Sequence, residues 1–164
     1  MTTRNYDVRL RDQTHEWMAK YSDHLTHACT FTIKQTVAGR TVDAEHAWAL
    51  WENFCKYLNR TIYKHAAKRY GKSLVILPTL HGEMYGKRLH FHAAIGCLDG
   101  RLSYDQLKLV LDMCWRDQRG WTDQHIDIQP YKDTGWIGYM LHESVRLDLS
   151  SVDVTRCCVP STLQ

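Results

Sequence analysis

The sequence predicts an α+β domain, one antiparallel sheet with helices packed against it, and three observations predict that class. Residues 26–34 form a β-branched and aromatic run, and residues 124–130 alternate apolar with polar, both in the manner of strands. Two apolar runs also meet at Tyr85, Gly86 and Lys87, a hairpin signal, while two longer stretches repeat apolar residues at helical spacing.

Taken in order, residues 13–21 predict a short helix leading into the first strand, 26–34. Residues 37–41 read as a loop. From Asp43, a helix cap, Ala47, Trp48, Trp51, Phe54, Cys55, Leu58, Ile62 and Ala66 recur at the spacing of one helix face, which predicts a single helix to about residue 70. The apolar run 73–77 opens the second strand, and the hairpin continues to Cys97. Ser103 and Gln106 form a capping box for a helix running through Leu107, Val110, Leu111 and Trp115 to Gly120. Residues 124–130 give the fourth strand and 135 to about 145 the last helix; the tail beyond 148 has no pattern. Without the leading helix, the order is β-α-β-β-α-β-α. Its first six elements match a ferredoxin-like split β-α-β sheet, with helices on one face and the other face open.

With 164 residues, 44% of them apolar, the chain is long enough for one domain with a sizeable core, taken as 1–164. It contains no Gly-x-x-x-x-Gly-Lys-Ser/Thr phosphate loop, so a nucleotide-driven motor is not expected. No apolar run approaches a membrane span or signal core, which predicts a soluble, cytoplasmic protein with no membrane partner. Six cysteines (29, 55, 97, 114, 157 and 158) lack Cys-x-x-Cys spacing and predict reduced thiols. A net charge of +3 permits nucleic-acid binding without arguing for it.

His90-Phe91-His92 is the densest chemical signal. On a strand both imidazoles share one face while Phe91 enters the core. A hairpin centred between Gly86 and Lys87 would set Glu83 opposite His90 and His81 opposite His92, bringing four candidate ligands onto one face. Two histidines and a carboxylate suit Mn²⁺, Mg²⁺ or Zn²⁺ with open coordination positions.

The order of Phe31-Thr32-Ile33-Lys34, then Glu83 with His90-Phe91-His92, then Gly138-Tyr139-Met140-Leu141-His142-Glu143 resembles the HUH endonuclease superfamily, specifically single-tyrosine replication-initiator (Rep) nickases. The resemblance covers most of residues 26–145 and rests on the order of short motifs. It implies a ferredoxin-like or RRM-like HUH fold and Tyr139 as nucleophile, on single-stranded DNA at an origin or hairpin. The expected product is a 5′-phosphotyrosyl link with a free 3′-hydroxyl, conserving bond energy for later strand transfer in rolling-circle-type replication of a mobile element. A host helicase and polymerase would act alongside, in the nucleus if the source is a eukaryotic virus.

A second tyrosine one helical turn earlier would fall at Gly135 or Trp136, so one nucleophile is expected. The chain departs from the family's pattern where a lysine often follows the tyrosine: His142 and Glu143 stand there, on the same helix face as Tyr139. His142 is the residue placed to handle the tyrosine proton or bond the phosphate. The third metal ligand is either Glu83 or His81, and a hard divalent cation favours the carboxylate.

Lys56, Arg60, Lys64 and Lys68 recur every four residues as a basic stripe with Tyr57, Tyr63 and Tyr70 nearby, a combination suited to single-stranded DNA or simply to a solvated helix face. Trp48, Trp51 and Trp115 are expected in the core. Two other functions fit the same order: an insertion-sequence-type single-strand transposase, and a non-catalytic nucleic-acid-binding module.

Overall fold

A computed structural model describes residues 3–82, 88–118, 120–142 and 152–163. Four antiparallel strands form the main sheet: β1 (His27–Ile33), β4 (Val75–His81), β5 (His90–Gly96) and β6 (Thr122–Pro130), in the order β4-β5-β1-β6. Ranked along the chain these are strands 2-3-1-4, the ferredoxin-like arrangement that the element order predicts. Between β1 and α2 a small hairpin, β2 (Thr36–Val37) with β3 (Arg40–Thr41), replaces the expected loop. Ala38 and Gly39 turn it, both with positive φ (50° and 77°), as a two-residue hairpin of this twist requires.

Strand alternation gives the sheet two different faces. Cys29, Phe31 and Ile33 of β1, Phe91, Ala93 and Ile95 of β5, and Ile76 and Leu80 of β4 join Trp51, Phe54 and Leu58 of α2 (Ala44–Tyr63) and Leu111 and Trp115 of α4 (Tyr104–Arg116) in the larger core. Its centre is aromatic: Phe31 lies 4.9–5.4 Å, ring centre to ring centre, from Trp115, Phe54 and Trp51. The tryptophans 48, 51 and 115 are buried there, as expected. Both main helices start where the sequence places them. The Asp43 side chain accepts from His46 N, and the Ser103–Gln106 capping box is complete.

The opposite face is not simply open. A second apolar cluster joins Val75 and Leu77 of β4 and Ala94 of β5 to Met18 of α1 (Thr3–Ala19) and to Ile137, Met140 and Leu141 in and after α5 (Gly135–Met140). Helices therefore cover the β4–β5 half of this face. On the β1–β6 half Thr30 and Thr32 are half-buried and Asp127 and Gln129 are exposed. α1 begins ten residues earlier than the sequence reading placed it, because Tyr6, Val8 and Leu10 alternate and hide the helical period.

Three further elements differ from expectation. The long helix is two: α2 ends and α3 (His65–Tyr70) begins at Lys64, whose φ of 51° is a left-handed value that no glycine or proline announces. α4 ends at Arg116 rather than Gly120, and α5 ends at Met140, with Leu141 as its cap, rather than near 145. The tail, patternless in sequence, pairs with the sheet edge: Ile76 and Cys158 exchange both backbone hydrogen bonds, at 2.8 and 2.9 Å. All six cysteines are free thiols. Among the described residues no helix is long and apolar enough to cross a membrane.

Candidate metal centre

His81 ends β4 and His90 begins β5, and these two residues pair directly across the ladder. The register is thus two residues away from the one expected: His81 faces His90, and Thr79 faces His92. Gly82, at φ 99°, takes the chain out of the strand at this point, so pairing stops at His81. A slide of two preserves the face, because side chains alternate with a period of two. His81, His90 and His92 consequently converge, each offering a ligand nitrogen within 4.8 Å of the others. Glu83, the carboxylate expected beside them, lies outside the described residues.

The surroundings of each ring fix which nitrogen faces inward. Nδ1 of His90 donates to the Arg88 carbonyl at 2.8 Å, leaving Nε2 as a lone-pair donor. Nδ1 of His92 lies 2.9 Å from Thr30 Oγ1, and its Nε2 stands 3.2 Å from Nε2 of His90. Two nitrogens sharing one tetrahedral ion at about 2.0–2.1 Å would stand about 3.3–3.4 Å apart, so this spacing fits a shared cation. His81 differs. Its Nε2 donates to the Met140 carbonyl at 2.7 Å and lies 3.0 Å from Thr79 Oγ1, so coordination by His81 would use Nδ1. That bond also satisfies one of the carbonyls that a helix end leaves without a partner, tying α5 to β4.

Burial keeps His92 neutral. His81 and His92 are buried and His90 is half-buried. His92 is pushed down to about 3, first by burial and then by the neighbouring His81 and His90, so it is uncharged at neutral pH, the form that binds a metal. Three imidazoles with hydrogen-bonded outer partners suit a divalent transition ion such as Zn²⁺ or Mn²⁺.

α5 brings the phenol. The Tyr139 ring lies 5.1 Å from that of His92, edge to face, and stacks on Trp136 at 5.2 Å. Trp136 is itself 5.4 Å from His92 and donates its indole N–H to the Ala93 carbonyl at 3.2 Å. Tyr139 remains 55% exposed, so its edge of the centre is accessible. His142 follows the helix, its backbone N–H bonded to the Tyr139 carbonyl at 3.1 Å; its imidazole is exposed and takes no part in the ring cluster. Sequence reasoning missed Trp136, Thr30 and Thr79. The three-residue spacing of Trp136 and Tyr139 was the available signal for the first, and a register-correct hairpin would have revealed Thr79.

The basic stripe is not at this centre. Lys56, Arg60, Lys64 and Lys68 line a groove beside α2 and α3, on the layer that covers the aromatic face, whereas the histidines project from the other face. Two of the stripe's three tyrosines are engaged elsewhere, while Tyr70 is exposed on α3. Tyr57 donates to Asp117 at 2.6 Å and Tyr63 is buried under Arg101. Comparison with protein-family models, with curated proteins and with solved structures finds no match to this chain.

Proposed function

We propose that the chain is an HUH-type nickase and strand transferase acting on single-stranded DNA, at an origin or hairpin, to initiate rolling-circle-type replication. The observation that carries this reading is the exposed phenol of Tyr139 packed against His92, a member of a three-histidine cluster. A neutral phenol is a weak nucleophile, and a phosphodiester repels anions, so a phenol beside a metal-binding imidazole serves a purpose that neither serves alone.

In this reading His90, His92 and His81 hold a divalent ion, with Glu83 as the carboxylate the sequence nominates. The bound ion would neutralise the non-bridging phosphate oxygens and orient the phosphate. Tyr139 Oη attacks phosphorus, forming the Oη–P bond as the P–O3′ bond breaks. The phenolic proton leaves, with His142 as the acceptor the sequence nominates, and the departing 3′ oxygen takes up a proton to become a hydroxyl. Trp136 holds the phenol ring beside His92 through its stack. The half of the sheet face not covered by α1 and α5 borders the centre and offers a strand a way in.

The test incubates the protein with a labelled library of single-stranded oligonucleotides and Mn²⁺, with and without EDTA, followed by denaturing gels and mass spectrometry. A metal-dependent adduct on the Tyr139 peptide, absent in Tyr139→Phe, is the expected result. Free cleaved ends without an adduct would indicate a hydrolase. Binding with no cleavage would indicate a non-catalytic module.

A further inference from the structure

The groove beside α2 and α3 holds an unusual concentration of charge. Lys56, Arg60, Lys64, Lys68, Lys72 and Arg156 all line it, and among the described residues Glu52 is its one acidic lining residue. That carboxylate is already engaged, by Arg156 and by Lys56 at 3.8 Å. Arg60, Lys64, Lys68 and Lys72 are exposed and have no carboxylate partner among the described residues. Four such cations on one concave surface repel one another, and a bound polyanion would relieve the repulsion.

The shape comes from two features that sequence periodicity did not show. The break at Lys64 separates α3 from α2, and the C-terminal segment closes the opposite side. That wall is held by the Ile76–Cys158 backbone pair and by Arg156, which reaches both Glu52 and Asp153. The groove has a volume of about 900 Å³, and the lining between the cations includes the half-buried Ala67, Cys157 and Cys158. From Lys56 to Lys64 the helix rises about 12 Å, and the row of cations continues beyond it to Lys68 and Lys72, so that one strand lying along the groove can meet several of them in turn.

We infer that this groove is a second nucleic-acid site, separate from the histidine centre and on the opposite side of the sheet, which holds a single strand through its phosphates. A duplex would meet the cations alone. A single strand also brings unstacked bases that bury apolar surface against the lining, and the groove offers both. The inference does not depend on the nickase reading, since the two sites use different residues on different faces.

The test is binding of a short fluorescent oligothymidine in EDTA, by anisotropy, at salt from about 50 to about 200 mM. Four phosphate contacts predict a slope of about −2.8 in log affinity against log salt, hence a loss of about 50-fold across that range. Arg60→Ala with Lys68→Ala should flatten the slope by about 1.4, so that the loss falls to about 7-fold. The charge-matched pair Arg9→Ala with Arg40→Ala should leave the slope where it was, and His90→Ala with His92→Ala should as well. Equal flattening by the charge-matched pair, an unchanged slope in the groove variant, or tighter binding of the corresponding duplex would each overturn the inference. All the substituted groove residues are exposed, and a thermal melt of each variant verifies folding. A normal Tyr139 adduct without groove binding, or groove binding without an adduct, separates this site's failure from that of the nickase reading.

Discussion

The two faces of one sheet, made by alternate residues of the same strands, differ in almost every physical respect. One face presents Phe31, Phe91, Ile33 and Ile95 to the indoles of α2 and α4 and is held by apolar burial. The other presents His81, His90, His92, Thr30 and Thr79, whose side chains hold one another through directed contacts of 2.9–3.2 Å. Phe91 stands between the two histidines of its strand and faces away from both. Stability and chemistry are therefore separated by a single residue step, and substitutions one position apart should have unlike effects.

The largest expected effect is on the apolar face. Phe91→Ala empties a site packed by Trp48 and Trp51, at ring separations of 5.1 and 4.6 Å, and should cost about 3–5 kcal/mol in denaturant unfolding. A loss below about 1 kcal/mol would mean that the aromatic core is not what holds the sheet. On the polar face, Thr30→Ala removes the partner of His92 Nδ1. It should weaken metal binding by about 10–100-fold with little change in melting of the metal-free protein. The contrast between faces fails if this variant instead unfolds like Phe91→Ala.

Acid sharpens the same comparison. His27, on the apolar face, and His92 are both shifted down, first of all by burial; for His27 this outweighs the bond its Nε2 donates to the Tyr104 carbonyl at 3.0 Å. The unfolded chain takes up these protons near about pH 6.5, while folded His92 resists until about 3. Stability of the metal-free protein is thus complete above about pH 6.5 and falls as pH drops below it, by about 2 kcal/mol from His92 alone on reaching about pH 5. Unfolding free energies measured across that window in His92→Gln should fall less steeply than in the parent. Identical slopes would contradict the assigned burial.

Much of this was legible in the sequence because it depends on local rules. Alternation put His90 and His92 on one face, Asp43 and Ser103 marked two helix starts, and element order gave the strand arrangement. The rest depends on tertiary choices that local patterns do not encode. β4 ends at His81, before Gly82, and the ladder pairs two residues away from a hairpin centred at Gly86–Lys87. Lys64 breaks a helix whose apolar spacing continues through Ile62 and Ala66. The alternation of Tyr6, Val8 and Leu10 hides the first half of α1, and with it the helix that covers part of the histidine face. The pairing of Cys158 with Ile76 is a backbone contact and left no trace in side-chain pattern.

The claim on which the nickase reading rests is that the three histidines form one metal centre beside Tyr139. Calorimetric titration of the metal-free protein with Mn²⁺, and separately with Zn²⁺, tests it most directly. One ion per chain should bind, and binding should be abolished in His90→Ala with His92→Ala and weakened in His81→Ala. It should be unchanged in His125→Ala, which alters an exposed histidine outside the cluster. Equal binding by the parent and by the His90→Ala, His92→Ala protein would contradict the account.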